Sequence, residues 1–268
     1  MAKLRILYVA SEVTPFLETS AVADFVKALP QYMQNKELEV RILAPRFGVI
    51  NERKNRLHEV LRLSGINITI GTNEKPLVVK VASIPRARLQ VYFTDNEDYF
   101  KRKAIFHNKD DSFFEDNDER TVFFCKGVLE TVKRLGWKPD VVHCHDWITS
   151  LIPLYLKTTY ADDPILKKAQ VVFTLYNNAF SEKFGKDFPE KVKMVGIEEE
   201  ALAPLVSADF RALVQTGIKY ADKVAKAEML QEEPFKDLLN EQDLPCIENN
   251  EAGLEAYYNF YRELTGTS

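Results

Sequence analysis

The chain has 268 residues, 46% of them hydrophobic and 28% charged, a composition that favours a folded globular protein over a disordered one. Its net charge of −4 is not the basic balance typical of nucleic-acid binding, and a chain of this length buries a sizeable core without disulfides or a structural metal. The three cysteines lack CxxC spacing, the apolar runs are too short to cross a bilayer, and no cleavage site follows the N-terminal strand, so we expect a cytoplasmic protein without a membrane segment.

The first predicted unit is a buried strand over residues 4–10, followed by a helix with apolar spacing from Val22 to Met33. Ser20 precedes this spacing, as is typical of a helix start. A strand, a loop and a helix also open a dinucleotide-binding unit, but the phosphate-binding turn of that unit needs glycines. Because the first glycine of the chain is Gly48, we exclude a standard NAD or FAD site at this turn.

The middle of the chain predicts a β-hairpin insertion. A second strand is predicted over residues 38–44, and residues 57–93 then show four short stretches of alternating apolar residues. Turn signals at Gly65, Gly71 and Pro85 separate these stretches.

After a polar and aromatic loop over residues 95–118, helix and strand signals alternate along the chain. The predicted elements are a helix over residues 116–135 that ends at Gly136, a strand over 140–143, a helix over 148–160, a strand over 170–175 and further helix and strand signals over 208–227. This alternation predicts an α/β fold with a doubly wound, parallel, Rossmann-like sheet.

The chain is predicted to comprise a domain over residues 1–227, an acidic linker over 228–253 and a C-terminal helix over 254–268. Apolar residues return to helical spacing in that last segment, at Leu254, Tyr257, Tyr258, Tyr261 and Leu264. We expect the aromatic stripe to pack back on its own domain, and a partner-binding surface is the alternative.

The densest group of reactive side chains is the run HCHDW at residues 143–147, where a predicted parallel strand ends. Ligands bind at that edge of α/β sheets. Histidine, cysteine and aspartate are metal ligands, but neighbouring residues of a strand point to opposite faces, which separates Cys144 from the two histidines and argues against both a metal site and a Cys–His nucleophile. The alternative is structural: Asp146 caps the following helix and the histidines pack in the core. We expect neither a metal nor a cofactor.

Four segments resemble the N-terminal domain of bacterial glycogen and starch synthases. They are LRILYVASEVTPFLETSAVADFVKALP from Leu4, YFTDNEDYF from Tyr92, GVLETVKRLGWKPDVVHCHDW from Gly127 and GIKYADKV from Gly217. The resemblance implies one half of a GT-B fold, in which two Rossmann-like domains enclose the active site. It also implies a family that transfers glucose from ADP-glucose to an α-1,4-glucan, with the glucan held mainly by the N-terminal domain and the nucleotide by the C-terminal one.

The sequence departs from the family pattern where the sugar donor binds. Glu18 stands where the family has a lysine that faces the donor phosphates, and Ser20 and Ala21 replace glycines that let phosphate approach the backbone. Tyr176 replaces a histidine beside the transferred sugar, so we expect its ring to fill that space and close a pocket against Trp147. A unit-charge pair at 4 Å is worth about 4 kcal/mol at an effective dielectric near 20, so repulsion at Glu18 weakens donor binding strongly.

Other polar or aromatic positions keep the acceptor-side and cleft residues that the resemblance implies. These candidates are Glu12, Asp24, Asn117, Arg120, His145, Asp146, Trp147 and Asn177. Nothing after Val224 resembles a second Rossmann-like domain, so the resemblance implies a non-catalytic glucan-binding or regulatory relative, whose partner is an α-1,4-glucan or a protein of glycogen metabolism. Two alternatives stay open: an active glucosyltransferase completed by a donor domain on another chain, and an interaction module without either ligand.

Overall fold

The computed structural model describes residues 3–227, 230–231, 235–239 and 251–266. Within these ranges the strands are β1 (Arg5–Val9), β2 (Glu39–Pro45), β3 (His58–Glu59), β4 (Ile66–Ile70), β5 (Asn73–Ser83), β6 (Gln90–Asp95), β7 (Val141–His145), β8 (Gln170–Leu175) and β9 (Lys223–Lys226). The α-helices are α1 (Ala21–Asn35), α2 (Glu52–Asn55), α3 (Glu97–Phe100), α4 (Asn117–Leu135), α5 (Leu151–Lys157), α6 (Phe188–Val192), α7 (Glu199–Leu202), α8 (Phe210–Tyr220), α9 (Lys236–Leu239) and α10 (Glu251–Thr265). Short 3₁₀ helices cover Trp147–Thr149 and Ala203–Ser207.

Six strands form a parallel sheet in the order β6-β2-β1-β7-β8-β9. At one edge, β5 pairs antiparallel with β6 and carries β3 and β4, both antiparallel to it. The order reverses at β1, from which the chain extends first towards β6 and later towards β9. The predicted Rossmann-like α/β sheet is therefore confirmed, and its antiparallel extension corresponds to the predicted hairpins.

Three local predictions need correction. The last predicted strand of the insertion is β6, which pairs in parallel with β2 and so belongs to the main sheet. The strand predicted from Leu57 shrinks to the two residues of β3, and the loop over residues 95–118 contains α3, whose Asn96 cap accepts from the backbone N–H of Asp98 at 3.0 Å. The helix predicted over residues 148–160 is a 3₁₀ turn followed by α5, which ends at Lys157.

Helix ends follow their local sequence signals. The Ser20 hydroxyl accepts a hydrogen bond from the Val22 N–H at 3.2 Å and so satisfies a free donor at the start of α1. At the end of α4, Gly136 has φ 63°, a left-handed conformation that costs glycine little. The lengths of both helices are therefore set by residues next to their ends.

Two hydrophobic layers cover opposite faces of the sheet. One layer packs α4, α5 and α8 on the sheet and includes Cys144 and Trp147. The other packs α1 and α10 on the opposite face, where Tyr257 and Tyr261 are fully buried. On the outer side of α10, Glu255 pairs with Lys36 at 2.8 Å. Alternation along each strand therefore decides which layer a side chain joins.

Two further points concern the chain as a whole. Most of the predicted acidic linker, including Cys246, lies outside the described residues. Every helix of the described ranges is too short or too polar to cross a lipid bilayer.

Candidate functional site

A cavity of about 510 Å³ opens where the parallel strands end. The loop after β1 contributes Ser11 and Glu12, the turn after β7 contributes Asp146 and Trp147, and the segment after β8 contributes Asn178. These residues are far apart in the sequence, but parallel strands bring their carboxyl ends to one edge. That edge is where open α/β sheets bind ligands.

Asp146 forms the polar floor of the cavity. Its carboxylate accepts hydrogen bonds from the Ser11 hydroxyl, the Asn178 amide and the Trp147 N–H, the last at 2.5 Å. Burial raises the pKa of Asp146 to about 7, against the opposing effect of these hydrogen bonds. Asp146 also has φ 79°, a conformation that costs a non-glycine residue about 1–3 kcal/mol and that occurs preferentially at functional sites.

Glu12 organises the loop between β1 and α1. Its buried carboxylate accepts from the Thr19 N–H at 2.6 Å, from the Thr19 hydroxyl at 2.8 Å and from the Ser20 hydroxyl. By contrast, Glu18 and Asp24 are exposed and do not line the cavity, and Asp24 accepts from the Thr14 hydroxyl at 2.9 Å. Of these three acidic candidates, only Glu12 lies at the cavity.

Four aromatic side chains form one wall of the cavity: Phe106, Phe113, Trp147 and Phe180. The ring centroids of Trp147 and Phe106 are 4.7 Å apart, those of Trp147 and Phe180 4.9 Å, and those of Phe180 and Phe113 5.0 Å. Sequence reasoning identified only Trp147 in this aromatic wall. The aromatic composition of residues 95–118 was the available signal for Phe106 and Phe113, but it did not reveal which way the loop folds.

Asn117 and Arg120 lie behind the aromatic wall and do not line the cavity. The Asn117 amide donates to the Phe106 carbonyl at 2.8 Å, and the fully buried Arg120 guanidinium donates to the Asn117 side chain at 2.5 Å. Arg120 lies over the rings of Phe106 and Phe114, at 5.8 and 5.3 Å from their centroids, and burial lowers its pKa to about 9. Both residues therefore hold the loop that carries the wall.

His145 and Tyr176 belong to the opposite layer. The Nδ1 atom of His145 and the Tyr176 hydroxyl share a hydrogen bond of 2.8 Å beneath α10, and burial lowers the pKa of His145 to about 3. His143 likewise shares a 2.5 Å hydrogen bond with the hydroxyl of Tyr261 on α10. The prediction that Tyr176 closes a pocket against Trp147 is wrong, because the two rings lie in layers on opposite faces of the sheet.

Asn177 is also displaced from its predicted place. It is exposed, and its side chain accepts from the Gln231 N–H at 2.7 Å. The next residue, Asn178, lines the cavity instead. Beyond the end of β8 the chain no longer follows strand alternation, so the sequence does not show which of the two amides faces inward. Within the described ranges, no group of three or more His, Cys, Asp and Glu side chains has a geometry that holds a metal ion.

Comparisons with known proteins agree on one family. Residues 5–233 match the family described as the starch synthase catalytic domain. A glycogen synthase from Chlorobium limicola is 42% identical over 222 residues, which is 81% of this chain and 44% of the relative, and one from Chlorobium phaeobacteroides is 47% identical over 176 residues, 65% of this chain and 36% of the relative. The catalytic domain of starch synthase IV from Arabidopsis thaliana, solved with ADP and acarbose, has the same fold with a TM-score of 0.69 at 18% identity, over 98% of this chain and 50% of that one. The chain thus spans about half the length of the curated relatives it matches.

Proposed function

The chain belongs to the starch synthase catalytic domain family, and from this premise we propose that it binds an α-1,4-glucan in the cavity after β1, β7 and β8 without transferring glucose. It acts, in this proposal, as a glucan-binding or regulatory protein of glycogen metabolism. The observation that carries the proposal is the position of the aromatic wall opposite the carboxylates of Glu12 and Asp146 in one cavity.

The cavity suits a sugar chain because a pyranose ring has apolar C–H faces and polar hydroxyl edges. Trp147 and Phe180 offer flat apolar surfaces, and the Asp146 carboxylate and Asn178 amide offer hydrogen-bonding groups nearby. Mostly apolar walls with a few placed polar groups are typical of small-molecule sites. The volume of about 510 Å³ accommodates two to three sugar units of a longer chain.

Three residues speak against transfer of glucose. Tyr176, at the position of the family's histidine, points away from the cavity into the layer beneath α10. Glu18 puts a negative charge where the family has a lysine for the donor phosphates, and Glu12 adds a second carboxylate on the same loop. A phosphate anion is repelled by both charges and meets no compensating lysine on this loop. We therefore expect ADP-glucose to bind with a dissociation constant above about 100 μM.

Glucan binding is tested by isothermal titration with maltoheptaose and by backbone amide NMR. We expect saturable binding, with shifts at Asp146, Trp147 and Asn178, and a loss of at least tenfold in affinity for Phe180→Ala. Tyr258→Ala is the matched control, since Tyr258 is an equally half-buried aromatic residue on α10, away from the cavity. Absence of binding, or equal losses in both variants, would refute the proposed site. ADP release from ADP-glucose and maltoheptaose would refute the non-catalytic part alone.

A further inference from the structure

A second cavity, of about 320 Å³, lies on the outer side of α4 and shares no lining residue with the first. Its lining includes Thr69 of β4, Lys126 and Glu130 of α4, Tyr160, and Lys193 just after α6. Two lysines therefore face the same cavity, and their surroundings differ.

Lys126 is the unusual one of the two lysines. Only 4% of its surface is exposed, and its Nζ atom lies 2.9 Å from the Thr69 carbonyl oxygen and 3.3 Å from the Lys191 carbonyl oxygen. Among the residues that the structure describes, no carboxylate lies within ion-pair distance of this nitrogen. A neutral amine has two N–H groups and one lone pair, whereas an ammonium has three N–H groups. The two carbonyl acceptors match the neutral amine and leave its lone pair free.

The groups around Lys126 do not supply a counter-charge. The carboxylate of Glu130 accepts from Lys133 at 3.0 Å and from the Tyr160 hydroxyl at 2.7 Å, and the Tyr155 ring lies with its centroid 5.7 Å from the Lys126 nitrogen. Burial without a nearby carboxylate lowers the pKa of Lys126 to about 8. A substantial fraction of this amine is therefore unprotonated near neutral pH.

Lys193 is the natural comparison within the same cavity. Its side chain is 43% exposed and pairs with the carboxylate of Glu199, which raises its pKa above the ordinary value of 10.5. Lys193 is thus the more accessible of the two amines but is almost wholly protonated near neutral pH.

We propose that Lys126 is a nucleophilic lysine and that the second cavity admits small acyl donors, of the acyl phosphate class, which acylate it. The lone pair of Nζ attacks the acyl carbon, an N–C bond forms, the C–O bond to phosphate breaks, and phosphate leaves with the electron pair while the amine loses a proton to water. The resulting amide nitrogen has one N–H, so it keeps only one of its two carbonyl partners. Acylation therefore releases either the β4 or the α6 side of the contact with α4.

Competitive labelling with isotopic acetic anhydride between pH 6 and pH 11, read by peptide mass spectrometry, tests the proposal. We expect the reactivity of Lys126 to reach half its maximum near pH 8 and that of Lys193 to keep rising above pH 10. Acetyl phosphate at pH 8 should then modify Lys126 before Lys193, and Lys126→Arg should remove that modification. If Lys126 reacts only when urea unfolds the chain, or if it titrates with the ordinary lysines, the proposal is wrong.

Discussion

Replacement of His145 by asparagine should make the folded protein less sensitive to acid. His145 is fully buried against Phe25 and Tyr8, and burial lowers its pKa to about 3. In the unfolded chain a histidine titrates near pH 6.5, so below that pH the unfolded state binds a proton that the folded state refuses. The contribution of His145 to stability is therefore complete above pH 6.5 and is lost as the pH falls from 6.5 towards 3. Asparagine has no such titration, and its amide can still reach the Tyr176 hydroxyl.

The magnitude follows from these two pKa values. At pH 5 the proton uptake of the unfolded chain at His145 lowers the free energy of unfolding by about 2 kcal/mol relative to pH 7.5. Asp146 acts in the opposite direction, because its raised pKa of about 7 lets the folded state take up a proton first, which adds a similar amount of stability as the pH falls from 7 to about 4. The wild-type profile alone therefore hides the effect, whereas the Asp146 contribution cancels in the difference between wild type and variant.

Urea unfolding of wild type and His145→Asn at pH 7.5, 6 and 5 measures that difference. Between pH 7.5 and pH 5 the gap in free energy of unfolding should move by about 2 kcal/mol in favour of the variant, whatever the cost of the substitution at pH 7.5. His58→Asn is the control, since His58 is exposed and should give a parallel profile. Parallel profiles for wild type and His145→Asn would show that the buried imidazole does not resist protonation.

Two further outcomes test the site and the C-terminal helix. Asn178→Ala should lower maltoheptaose affinity several-fold while Asn177→Ala leaves it unchanged, because only the first amide lines the cavity, and titration calorimetry that ranks them the other way round would contradict the site geometry. Truncation after residue 253 should lower the melting temperature by several degrees, because it exposes Tyr257 and Tyr261, each worth roughly 1.5–3 kcal/mol of buried apolar surface. An unchanged melting curve would instead favour the alternative in which this stripe is a partner-binding surface.

Local patterns were sufficient for much of the fold. The apolar spacing of α1 and α4 predicted both helices, since helix periodicity and end signals are properties of neighbouring residues. The strand predicted over residues 170–175 matches β8. Parallel pairing of β6 with β2 was not predicted, because an alternating stretch next to hairpins carries no sign of its partner strand.

The cavity shows the same division. The run at residues 143–147 lies at the end of a parallel strand, so the sequence alone indicated that Asp146 and Trp147 face a ligand-binding edge. Phe106 and Phe180 come from irregular loops whose direction depends on what they pack against. No local pattern determines that direction, so only the folded chain brings these rings to Trp147.

Tyr176 separates most clearly what each level determined. The sequence by itself determined that a tyrosine replaces the family's histidine, and so that an imidazole is missing from that position. Only the tertiary structure decided where the tyrosine goes: into the layer under α10, where its hydroxyl finds His145 and its ring is buried. The physical reason is that a side chain at a strand end follows the available space and hydrogen-bond partners, and both are supplied by residues far away in the chain.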